Sequence, residues 1–133
     1  MALLDIQNVD ISYGKQLTVQ DCSIRLDKGQ ICSIVGESGS GKTTVIRAVL
    51  GLLAGGGRVT RGDIIYEDRS LLKLNAKEWR TLRGHDISMI FQDSGAMMNQ
   101  TRLIGKSYVE YICTHENISK QEAWDKGVKM LER

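Results

Sequence analysis

"IVGESGSGKTTVIRAVLGLL", Ile34 to Leu53, is the stretch on which the fold turns. Gly36-Glu37-Ser38-Gly39-Ser40-Gly41-Lys42-Thr43 meets the pattern G-x-x-x-x-G-K-[ST] at every required position. Just upstream, Ile31-Cys32-Ser33-Ile34-Val35 is a short, nearly continuous apolar run, the pattern of a strand buried on both faces. Downstream, from Lys42 to about Leu53, the residues are apolar on most sides and Arg47 is the only charge after Lys42, which predicts a largely buried helix. Strand, glycine loop and helix in that order make a phosphate cradle. Gly39 and Gly41 allow backbone turns closed to other residues, so successive N–H groups point inward and the helix N-terminus adds about half a positive charge. A glycine turn that merely joins strand to helix would not explain a lysine and a hydroxyl at positions 42 and 43. Lys42 is placed to reach the β and γ phosphates of a nucleotide, and the Thr43 hydroxyl to hold Mg²⁺.

Outward from the loop, "LLDIQNVDIS" places apolar residues at Leu4, Ile6, Val9 and Ile11, "YGKQ" breaks the run, and "LTVQDCSIRL" alternates again. This predicts an antiparallel pair. "VTRGDIIYEDRSLL" reads as one or two short strands with a turn, and Asn75 as the cap of a helix "AKEWRTLR" stopped at Gly84. "DISMIFQ", residues 86–92, reads as a second buried strand. Beyond it the periodicity becomes helical: Ser119 with Glu122 forms a capping box, and Trp124, Val128 and Leu131 share one helix face. His85 and His115 read as solvated.

The 133 residues suit one ordinary domain, and 41% hydrophobic with 26% charged residues is a normal globular balance. The charge of +2 is dispersed, with no basic run of the kind that marks a nucleic-acid or lipid partner, so no nucleic acid is expected. Cys22, Cys32 and Cys113 are odd in number and unpaired in spacing, which fits a reducing cytoplasm better than a disulfide framework or zinc site. The N-terminus has no secretory pattern and no apolar run reaches membrane-spanning length, so any membrane role is expected to be peripheral.

GTPases, small-molecule kinases and transport ATPases share this loop. No N-K-x-D guanine reader occurs, and the loop follows about 35 residues of antiparallel pattern where a small kinase would normally begin with it. "VGESGSGKTTVIRAVLGLL", "GGRVTRGDIIYEDRSLLKL" and "LRGHDISMIFQD" together resemble the ATP-binding cassette (ABC) transporter family, in particular the ATPase subunits of dipeptide, oligopeptide and nickel importers. The resemblance implies an α/β P-loop core of ABC type with an N-terminal antiparallel β layer, residues 1–93, and the start of a helical subdomain, residues 94–133. It implies ATP and Mg²⁺ as cofactors, held by Gly36, Ser38, Gly39, Ser40, Gly41, Lys42, Thr43 and Thr44. Tyr13 occupies the place of an adenine-stacking aromatic, although by pattern alone it is a hairpin-turn tyrosine. Gln92 matches a glutamine that approaches Mg²⁺ and the attacking water; by pattern alone it is a solvated loop residue. Implied partners are membrane-spanning permease subunits and a second ATPase subunit, at the inner face of the cell membrane.

The chain departs from these importers at Ser94 and at Ala54-Gly55, which replace typical prolines. An L-S-G-G-Q-like signature, the apolar strand ending in aspartate, its following catalytic glutamate and a switch histidine do not occur in these residues. The expectation is an N-terminal portion of such a subunit that binds Mg-ATP without turnover of its own and self-associates through exposed apolar edges. A non-hydrolysing, nucleotide-dependent interaction module and an inactive remnant stand as the alternatives.

Overall fold

The computed structural model describes residues 1–133, which gather into two compact units, Met1–Trp79 and Arg80–Arg133. In the first, β1 (Ala2–Tyr13) and β2 (Gln16–Asp27) form the expected antiparallel pair. β3 (Gly57–Tyr66) pairs antiparallel with the other edge of β1, and the short β4 (Arg69–Ser70) follows it, giving the order β2-β1-β3-β4.

The pleat of β1 changes phase partway along. Ile6, Val9 and Ile11 are all buried, and strict alternation cannot bring positions 6 and 9 to one face. A bulge supplies the extra residue: the register shifts between Ile6 and Val9, and Asn8 takes a left-handed φ of 47°. β2 has its own irregularity at Asp21, φ 48°, and polar side chains tie the two together. Asn8 Nδ2 donates to Asp21 Oδ1 at 3.0 Å, and the Asp21 N–H donates to Asp10 Oδ1 at 2.7 Å. Arg61 of β3 donates to both aspartates, at 2.9 Å to Asp10 Oδ2 and 3.0 Å to Asp21 Oδ1. That guanidinium is the main reason the Asp10 carboxyl lies below its ordinary range.

The buried face of the sheet carries Ile6, Val9, Ile11, Val19 and Ile64. Helix α1 (Lys42–Val49) packs against β3 and buries Val45 and Ala48. It is shorter and more exposed than the sequence suggested, since Ile46 is exposed. It ends at Leu50 because the Gly51 N–H donates to the Ala48 carbonyl and the Leu52 N–H to the Arg47 carbonyl, a Schellman closure that satisfies the last carbonyls. A 3₁₀ turn, Leu71–Lys73, leads to α2 (Ala76–Leu82), which spans the divide between the units. Asn75 caps α2 as expected, accepting from the N–H groups of Lys77 and Glu78 at 3.0 Å each.

The second unit holds α3 (Ser94–Met97), α4 (Ile104–His115) and α5 (Lys120–Leu131), with α4 packed on α5. The Ser119–Glu122 capping box is complete in both directions. The face that α5 buries is not the expected one. Ala123 and Gly127 are buried, while Trp124, Val128 and Leu131 stay exposed. Trp124 nonetheless reaches α4, since a Cβ at Gly105 would stand 2.3 Å from its ring, and Gly127 faces Tyr108 of the same helix.

The two segments expected as buried parallel strands form no ladder. Residues 31–35 and 88–92 carry no strand pairing, and Ile31, Val35 and Ile90 are each more than nine-tenths exposed. The sole parallel contact is a bridge between Arg83 and Ile87. Parallel strands draw every partner from residues distant in sequence, and neither segment finds such a partner here, so their amides stay in water. No helix is long and apolar enough to cross a membrane.

Candidate nucleotide-binding loop

The loop turns at Ser38 and Gly39 and enters α1 through Gly41, which sits at φ 93° as the helix N-cap. An L side chain at that φ is strained, and a Cβ at Gly41 would also stand 2.9 Å from Val19 Cγ2. The loop is therefore backed by the start of β2, a contact that the sequence motif does not reveal. Gly36 is confined from the other side, because its Cβ would lie 2.8 Å from Ser40 Oγ.

Lys42 folds back into the loop. Its Nζ donates to the carbonyls of Gly36 at 2.7 Å and Glu37 at 2.6 Å, with Ser40 Oγ at 3.4 Å. An ammonium has three N–H donors, so these contacts hold its charge against the loop's own oxygens. No side chain caps α1 and no acidic residue occupies its first turn. The first amides of the helix are thus left without an intrahelical partner, and a cation stands at the positive end of the helix dipole. Both features are unfavourable alone and favourable once an anion is bound, which is how the loop fits a nucleotide phosphate chain. Thr43 is exposed and Thr44 half-buried at the start of the same helix.

Tyr13 ends β1 and pairs with Gln16 and Gly57. Its ring rests on Gly57, where a Cβ would stand 2.5 Å from Cε1, so the glycine of the "GGGR" stretch is what lets the ring lie flat. It shares a unit with the loop, whereas Gln92, exposed just before α3, belongs to the second unit. Asp93 caps α3 by accepting from the Ala96 N–H at 3.1 Å.

The ABC transporter family matches residues 19–132. The chain belongs to the ABC transporter family. Among relatives, the oligopeptide transport ATP-binding protein OppD of Bacillus subtilis (strain 168) is 38% identical over 98% of this chain and 38% of its own length. The dipeptide transport ATP-binding protein DppD of Lactococcus lactis subsp. cremoris (strain MG1363) is 33% identical over 98% of this chain and 39% of its own. OppD of Escherichia coli (strain K12) is 37% identical, over 98% and 40% respectively. The chain thus spans about two-fifths of the length of these curated relatives. Among solved structures, a bacterial Atm1-family ABC exporter with ATP bound superposes with a TM-score of 0.53 at 22% identity, over 61% of this chain and 14% of the exporter chain. That likeness concerns the fold, and it agrees with the α/β P-loop class expected from the sequence. In this ABC-family chain the G-x-x-x-x-G-K-[ST] pattern is complete, and its lysine is oriented by the loop's own carbonyls.

Proposed function

We propose that this chain is the ATP-binding part of an ABC importer ATPase subunit that energises uptake of peptides or nickel. The observation that carries the reading is the Gly36–Thr43 loop, whose uncapped helix start and inward Lys42 are suited to an anionic phosphate chain. ATP is held by Gly36, Ser38, Gly39, Ser40, Gly41, Lys42, Thr43 and Thr44, and Tyr13 stacks on the adenine. Thr43 and Gln92 serve Mg²⁺, Gln92 by the family match. Residues 1–93 are the N-terminal part of the nucleotide-binding domain and 94–133 open its helical subdomain. The partners are permease subunits and a second ATPase subunit on the cytoplasmic face of the membrane. The relatives' names, oligopeptide and dipeptide transport ATP-binding proteins, support the peptide assignment.

Calorimetric titration with Mg-ATP tests the binding. The unaltered chain is expected to bind, and Lys42→Ala to bind roughly 10- to 100-fold more weakly, as loss of charge-assisted hydrogen bonds implies. A flat titration of the unaltered chain sinks the reading and leaves the inactive remnant. Binding without turnover is favoured for these residues alone, because signature, acidic strand, catalytic glutamate and switch histidine do not occur among them. Lys42-dependent phosphate release from the purified chain would refute that part. Exposed Ile31, Val35 and Ile90 support self-association, which sedimentation at rising concentration measures; a strict monomer argues against it.

A further inference from the structure

Gly84 follows α2 at φ 79°, a conformation that only glycine adopts freely. The turn it opens is closed by backbone bonds. The N–H groups of Asp86 and Ile87 donate to the Leu82 carbonyl at 3.0 and 3.1 Å, and the Gly84 N–H donates to the Ile87 carbonyl at 2.8 Å. The Gly84 carbonyl is engaged from α4, where the Tyr111 hydroxyl donates to it at 2.9 Å. His115, one helical turn further on, lies tilted against the Tyr111 ring with centroids 4.7 Å apart. A Cβ on Gly84 would meet His115 Nε2 at 2.7 Å and the Tyr111 hydroxyl at 3.0 Å, so the two side chains close over the glycine. The sequence reading of His115 as a solvated residue is corrected by this packing, which half-buries it.

Beyond Ile87 the chain runs to Gln92 with no ladder partner. The closed turn, held to α2 through the Leu82 carbonyl, is thus the last hydrogen-bonded structure before that glutamine, and Tyr111 is what ties the turn to α4 as well. We propose that Tyr111 is a positioning residue: its hydroxyl, with His115 packed beside it, fastens the Gly84–Ile87 turn to α4 and so sets where the Gln92 segment begins. A tyrosine serving only as filler would not need its hydroxyl aimed at a backbone carbonyl 27 residues away. The inference rests on the reading of Gln92 as the residue that responds to bound Mg-nucleotide.

The test is nuclear magnetic resonance on the isotope-labelled full chain and on Tyr111→Phe, which keeps the ring and removes the hydroxyl. It reads the Gly84 carbonyl shift, amide exchange at Gly84 and Ile87, and the side-chain amide of Gln92 with and without Mg-ATP. In Tyr111→Phe the Gly84 carbonyl shift is expected to move and exchange at Gly84 and Ile87 to rise about five- to tenfold, the factor carried by one net hydrogen bond. The Gln92 response to Mg-ATP should weaken while that of Gly41 is kept. A merely structural tyrosine would leave the Gln92 response as it is, which overturns the positioning role. Unchanged exchange at Gly84 and Ile87 overturns the anchor itself. His115→Ala is the second variant and is expected to raise exchange at the same amides, with α5 protection intact; protection unaltered at Gly84 and Ile87 counts against the clamp. A Gly41 amide silent to Mg-ATP in the unaltered chain removes the nucleotide reading instead, and the anchor is then judged by exchange alone.

Discussion

The β1–β3 layer and the two unpaired apolar segments share isoleucine and valine and meet opposite fates. Ile6, Ile11 and Ile64 are almost wholly buried, while Ile31, Val35 and Ile90 lie open to water. Apolar character is common to both, so it does not decide the outcome. What differs is whether a partner strand stands alongside. β1 meets β2 across the Gly14–Lys15 turn and pairs with β3 through the same antiparallel geometry, whereas residues 31–35 and 88–92 meet no strand at all. A strand is stable when its ladder is filled, and its side chains are buried only afterwards.

The strongest way to break this contrast is Ile64→Ala. Ile64 is fully buried against β1 and α1's layer, so truncation is expected to cost about 2–5 kcal/mol in a chemical denaturation curve. A loss below about 1 kcal/mol would mean that the sheet does not hold the core as described. Next in size is Ser119→Ala, which removes one half of the α5 capping box and should cost about 1 kcal/mol, visible as faster amide exchange in the first turn of α5.

The double variant Ile31→Ser with Ile90→Ser sharpens the other side. Both residues are exposed, so the unfolding free energy should change by no more than about 0.5 kcal/mol while concentration-dependent association falls. A core-sized loss would show these segments packed after all. The smallest effect is one of pH. The Ser119 N–H and hydroxyl hold the Glu122 carboxyl below its ordinary value of 4.5, so its contribution is complete above that value and is lost as pH falls through the lower folded one. Amide protection in the first turn of α5, taken relative to the intrinsic exchange rate at each pH, should therefore fall on acidification, and Glu122→Gln should remove that dependence; a fall that survives the substitution would place its source elsewhere.

Much of this molecule was legible in local sequence. Asn75 and Ser119 announced their helices, and each makes the backbone bonds that its residue type allows. Plain alternation along Leu4 to Ile11 is corrected by the bulge at Asn8, whose sequence signal is the three-residue spacing from Ile6 to Val9. Other features were hidden because they depend on what stands opposite. The helical spacing of Trp124, Val128 and Leu131 is real, yet the residues that α5 buries are Ala123 and Gly127, where Gly127 meets Tyr108 of α4. No local signal connects Tyr111 or His115 to Gly84, which lies 27 residues before the tyrosine.

By itself, the sequence determined the hairpin, the caps and the glycine turn ahead of α1, since each is settled by the conformational limits and hydrogen-bonding groups of residues a few positions apart. Only the tertiary structure decided which apolar runs are buried, which face α5 presents and what closes over Gly84. Those outcomes depend on partners brought together across many residues, and a chain-local pattern carries no information about whether the partner is there.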